Sequence, residues 1–160
     1  MKKTTRSIVR ASVIAALYAV LSLVLAPFAF GPVQFRISEA LTILPLFCVE
    51  AIPGLAGGCL IANIFSGSMW DILIGTLATL LASIFTRLVK KIYWGVIPPV
   101  IFNAFLVPIV FLTIPSVTEP YFLSALLVGA SELVSVIGLG VPLYFALKKI
   151  NQKTPFLFGE

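Results

Sequence analysis

Residues 11–35 read ASVIAALYAVLSLVLAPFAFGPVQF, and not one of them is charged. The first stretch of that run is long enough to cross a bilayer core, which takes about 20 apolar residues as a helix. The pattern recurs outward along the chain. No charge interrupts 51–70, 72–86, 92–118 or 133–147. Hydrophobic residues make up 60% of the sequence, and mean hydropathy is +1.13. A water-soluble fold of 160 residues leaves too much of its surface in water to hide that composition. Lipid can solvate it. The composition therefore predicts an all-α integral membrane protein, with function vested in the few polar groups inside its spans.

The charges that remain mark topology. Lys2, Lys3, Arg6 and Arg10 precede the first apolar run, Arg87, Lys90 and Lys91 form a second cluster, and Lys148, Lys149 and Lys153 a third. The net charge of +5 comes from these clusters beside apolar spans, so it reads as orientation rather than as a nucleic-acid surface. The expected spans are 9–27, 38–50, 52–67, 70–88, 95–114 and 121–147. The second and third are short enough to be one span kinked at Pro53-Gly54. Six spans put all three basic clusters on one side, the cytoplasmic one; five do not. The expectation is a compact six-transmembrane-helix bundle, residues 1–160 as a single membrane domain, with both termini cytoplasmic. The first run is too long for a signal-peptide core of about 7–15 residues.

Several chemistries are excluded or unsupported. The chain has no histidine, its two cysteines lack metal-type spacing, and no lysine follows a Walker-type glycine frame. No catalytic residue, metal or cofactor is expected, and no ATP hydrolysis by this chain alone. Cys48 and Cys59 read as packing thiols.

Candidate binding residues are the polar groups placed deep or at the outer ends of spans. Glu132 lies eleven residues into the last span, about 16 Å down at 1.5 Å per residue. A carboxylate there must face a partner or a wet cavity. Arg36 and Glu39 sit at the outer end of the second span, where Ser38 could instead cap the helix. Trp70 and Asp71 open the fourth span. Ser68-x-x-Asp71 also fits a capping box, and the indole could stack on a flat ligand or serve as an interfacial residue. Asn63 and Asn103 are in-span amides, which bind either another helix or a ligand. The outer loop PFAFGPVQFRIS, residues 27–38, adds Gln34 and Phe35 as pocket-wall candidates. Ala11, Ala15 and Ala19 form a small-residue stripe on the first helix. It could pack within the bundle or receive a partner protein.

Taken together, FGPVQFRISEALTILP, AIPGLAGGCLIAN and SGSMWDILIGTLATLLAS resemble the QueT family, the queuosine-precursor substrate-binding (S) components of energy-coupling factor transporters. The likeness covers residues 9–90, with a looser echo in IPPVIFNAF and around Glu132. It implies an S-component-like six-helix fold that takes a 7-deazaguanine, preQ1 above all, from outside. It also implies docking, through Ala11 and Ala15 and an extension to Ala19, on one transmembrane coupling subunit and two ATP-hydrolysing subunits. One carboxylate would accept the N1–H and amino group of the guanine-like edge, and a second would face the aminomethyl cation. The rival expectations are a proton-coupled carrier acting alone, with Glu132 as the proton site, and an S component for another vitamin.

Overall fold

The computed structural model describes residues 3–29, 35–65, 67–113 and 120–153. Every regular element among them is helical. The main elements are α1 (Lys3–Val24), a 3-10 helix (Ile37–Leu46), α2 (Ala51–Ile64), α3 (Asp71–Val89), α4 (Ile92–Phe111) and α5 (Tyr121–Lys153). A single helical turn, Ala26–Ala29, follows α1. Each expected span overlaps one of these helices. Four are long and apolar enough to cross a membrane: Thr4–Val24 within α1, then α3, α4 and α5.

The 3-10 helix and α2 are separate rods, not one kinked span. A turn over residues 47–50 divides them. Pro53 falls in the first turn of α2, where its missing N–H leaves no bond unmade. Ten residues wound as a 3-10 helix rise about 2.0 Å each, so the short segment reaches further than an α-helix of equal length. Every residue from Ser38 to Pro45 is buried. This is the central element of the bundle, contacted by all five α-helices.

Packing explains why it can sit there. Ile14, Tyr18, Leu41, Ile43, Leu44, Leu55, Cys59 and Val136 form one apolar core around it, and Val107, Phe111 and Val128 join α4 to α5 in a second. Gly140 of α5 lets the chains close: an added Cβ would lie 3.1 Å from the Ala40 carbonyl oxygen. α1 meets α2 through small residues. A Cβ on Gly58 would stand 2.6 Å from the Ala15 carbonyl oxygen, so only glycine permits this approach.

Two π-helical turns widen the rods, and each has a local cause. In α5 the turn is Val136–Gly140, just before Pro142. Proline supplies no N–H to the preceding turn and crowds its carbonyl, which loosens the ladder there. In α3 the turn is Asp71–Gly75. Here the Asn63 side chain inserts, its Nδ2 donating to the Asp71 carbonyl at 2.9 Å.

Basic residues secure one end of the bundle. Arg87 Nη1 donates to the Pro45 carbonyl at 3.0 Å, a cation on the carbonyls that end the 3-10 helix. Lys90 closes α3 in the left-handed conformation, φ 56°. Arg10 pairs with Glu50 at 3.4 Å, and Ser7 Oγ donates to the same carboxylate at 3.0 Å. Partial burial would raise the Glu50 carboxyl. Its own backbone amide, Ser7 and the Arg10 guanidinium outweigh that and hold it below the usual carboxylate range. Glu50 thereby ties α1 to the turn before α2.

Candidate functional site

At the end of the bundle opposite the basic one, three helices deliver polar side chains to a shared space. The 3-10 helix and the residue before it bring Glu39 and Arg36, α4 brings Asn103, and α5 brings Glu132. These four, with Val107 and Val128, line a cavity of about 200 Å³ including its mouth. All four polar side chains are buried. Asn103 Nδ2 donates to Glu132 Oε1 at 2.9 Å. Glu39 and Glu132 face each other closely enough to interact directly.

The charge count is informative. Glu39 and Glu132 bring two carboxyl groups to the cavity, and Arg36 brings one guanidinium. The cavity is thus suited to a ligand that carries hydrogen-bond donors and a positive charge. Its enclosed space is only about 10 Å³, room for one water and far under the roughly 300–1,000 Å³ of ordinary ligand pockets, so a heterocycle entering it must part the side chains.

A second polar group lies next to the first, between α2 and α3. Asn63 Nδ2 is 3.3 Å from Cys59 Sγ, and Thr79 Oγ1 is 3.3 Å from the same sulfur and 3.2 Å from the Gly75 carbonyl. Arg36 Nη1 lies 4.0 Å from Cys59 Sγ, which joins this group to the cavity. Gly75 makes room for the amide, since a Cβ there would meet Asn63 Nδ2 at 2.8 Å. Asn63 is therefore held by the backbone of α3, and among the described residues it does not line the cavity.

The other expected site residues are distributed as follows. Asp71 is buried beside this second group, and its charge acts on Arg36. Its backbone N–H is accepted by Ser68 Oγ at 3.3 Å, so the first half of the expected capping box is present. Asp71 Oδ1 has no hydrogen-bond partner among the described residues. Trp70 points outward, 51% exposed, away from the cavity. Phe35 is half-buried next to Arg36. Gln34 lies outside the described residues.

Ser38 does not cap its helix. Its hydroxyl is buried and bonds Ser22 of α1 at 2.7 Å, because the 3-10 helix is enclosed and its hydroxyls must find partners inside. The alanine stripe also turns inward. Ala19 is buried, and Ala11 and Ala15 are half-buried with their carbonyls against Gly54 and Gly58. The small residues on α1 thus match small residues on α2 of the same chain.

One site residue escaped the sequence reading altogether. Tyr18 of α1 is fully buried and donates its hydroxyl to Glu39 Oε1. The signal was available, since a phenol in mid-span needs a hydrogen-bond partner when buried. Cys59 was expected only to pack. It is a buried free thiol, and it also sits at the junction of the two polar groups.

The sequence profile of the QueT transporter family matches residues 8–149. A curated relative, "Queuosine precursor transporter QueT" of Lactococcus lactis subsp. cremoris (strain MG1363), is 34% identical over 103 residues. That alignment covers 59% of this chain and 61% of the relative's length. No solved structure matches the chain. A profile match over most of the sequence, on a helical bundle with several membrane-length apolar rods, settles the assignment: this multi-pass membrane protein belongs to the QueT transporter family.

Proposed function

We propose that the protein is the substrate-binding component of an energy-coupling factor importer for a queuosine precursor, with preQ1 as cargo. The observation that carries the reading is the meeting of Arg36, Glu39, Asn103 and Glu132 on one cavity. A 7-deazaguanine offers N1–H and an amino group on one edge. One carboxylate can accept both, and Glu132, already oriented by Asn103, is suited to do so. The aminomethyl cation then faces Glu39, and the ring carbonyl accepts from Arg36 or from the Asn103 amide. The named substrate of the 34%-identical relative agrees with this chemistry.

In this reading six spans form one membrane domain, both termini are cytoplasmic, and the cavity opens outward. The chain performs no catalysis. A transmembrane coupling subunit and two ATP-hydrolysing subunits supply the energy. Docking uses α1. Ala11 and Ala15 keep a half-exposed edge for it, whereas Ala19 is taken up by the bundle.

Calorimetry on the purified protein with preQ1, preQ0, guanine, riboflavin and thiamine tests the cargo. PreQ1 should bind tightest without ATP, and Glu132→Gln should weaken it by at least ~1.5 kcal/mol, the lower range for a charge-assisted hydrogen bond. Tightest binding of riboflavin or thiamine would reject the cargo. Unchanged affinity in Glu132→Gln would take Glu132 out of the site.

A second reading has its own support. Two carboxylates on one buried cavity are also what a proton-coupled carrier needs. Such a carrier works without partners, and proteoliposome uptake separates the two.

A further inference from the structure

We propose that the protein carries a specific site for an anionic phospholipid at the basic end of the bundle. An apolar cleft opens there between the start of α4 and the second half of α5. It is lined by Ile92, Tyr93, Val96, Ile137, Val141 and Phe145 and holds about 500 Å³ of space, open side included. Among the described residues no polar side chain lines it except the Tyr93 hydroxyl, so its interior suits a hydrocarbon chain and not a polar solute.

What surrounds the mouth selects the occupant. Lys90 and Lys91 immediately precede Ile92, and Lys148 and Lys149 follow Phe145 by one helical turn. All four are exposed. Lys90 in its left-handed conformation ends α3 and turns the chain into α4, which brings this pair to the head of the cleft. Tyr93 and Trp94, 80% and 59% exposed, are the aromatic residues that favour the headgroup level. An acyl chain in the cleft thus places its own phosphate among four ammonium groups. A neutral headgroup would fill the cleft but leave those charges uncompensated. Basic pockets between helices are a recognised route to anionic lipid binding.

The π-helical turn of α5 forms part of the cleft wall. Ile137 lies within Val136–Gly140, and Val141 follows directly.

The test uses the full chain in phosphatidylcholine vesicles. A reporter is built as Tyr93→Trp with Trp70→Phe and Trp94→Phe, all three positions being more than half exposed. Its fluorescence is titrated with brominated phosphatidylglycerol or brominated phosphatidylcholine at equal low mole fractions. Half-quenching should need at least about threefold less of the anionic lipid. Two further backgrounds decide between a site and diffuse attraction. Lys90→Gln, Lys91→Gln, Lys148→Gln and Lys149→Gln together should bring the two lipids level, and so should Val141→Phe, which fills the cleft with the lysines intact. Equal quenching by both lipids in the reporter protein overturns the proposal. A preference that survives Val141→Phe overturns it too, since charge alone would then account for it. Aggregation of the cleft-filled variant is countered with Val96→Leu, a smaller filling change judged by the same ratio.

Discussion

Tyr18 supplies the hydrogen bond that fixes Glu39, and it does so from α1, none of whose described residues lines the cavity. Removing its oxygen leaves a buried carboxylate short of a donor, which costs about 1–3 kcal/mol. Tyr18→Phe should therefore lower thermal stability in detergent and weaken ligand binding together, while Ser22→Ala, at the neighbouring bonded hydroxyl, should affect stability alone. Calorimetry beside a melting curve reads both. A Tyr18→Phe protein with wild-type affinity would mean that Glu39 does not meet the ligand. Asn103 and Asn63 show how far residue type alone can be read. Both are in-span amides, and both had to be bonded. One orients a cavity carboxylate and the other enters a helix ladder, and that difference depends on which helix stands opposite.

At the scale of elements, contacts between small residues set how closely the rods approach. Gly57 and Gly58 are sequence neighbours on α2, yet they face different surroundings. A Cβ on Gly57 would lie 4.0 Å from Ala15 Cβ, an ordinary contact, whereas one on Gly58 would meet the Ala15 carbonyl oxygen at 2.6 Å. Gly57→Ala should be neutral or mildly stabilising. Gly58→Ala should destabilise by about 1–3 kcal/mol despite alanine's better helix propensity, because backbone cannot step aside. Thermal melts of the two variants side by side check this. Equal melts would mean that α1 and α2 are not in backbone contact. The central 3-10 helix is the element that the sequence described least well. Its apolar run predicts a buried rod. Neither composition nor spacing distinguishes 3-10 from α winding, because both satisfy the backbone internally and the choice rests on the length of path to be filled.

For the whole molecule, the decisive question is whether the chain moves its ligand alone. As a substrate-binding component, wild-type protein in proteoliposomes should bind preQ1 but accumulate none, even with an imposed proton gradient. Addition of coupling and ATP-hydrolysing subunits should restore uptake. Gradient-driven uptake by the chain alone would establish the carrier reading. Much about this molecule was determined by sequence alone. Charge-free runs of membrane length specify helices, since lipid leaves backbone groups no partner outside their own segment. The same runs isolate Arg36, Glu39, Asn103 and Glu132 as polar groups in need of company. Tertiary structure alone decided which company each one has. It turned Trp70 outward, gave Asn63 to the backbone of α3, and folded the alanine stripe against glycines of the same chain. It also brought Tyr18 and Cys59 into the polar network. The physical reason is that burial requires every polar group to be satisfied without naming its partner. The partner depends on how rods from distant parts of the chain rotate and pack.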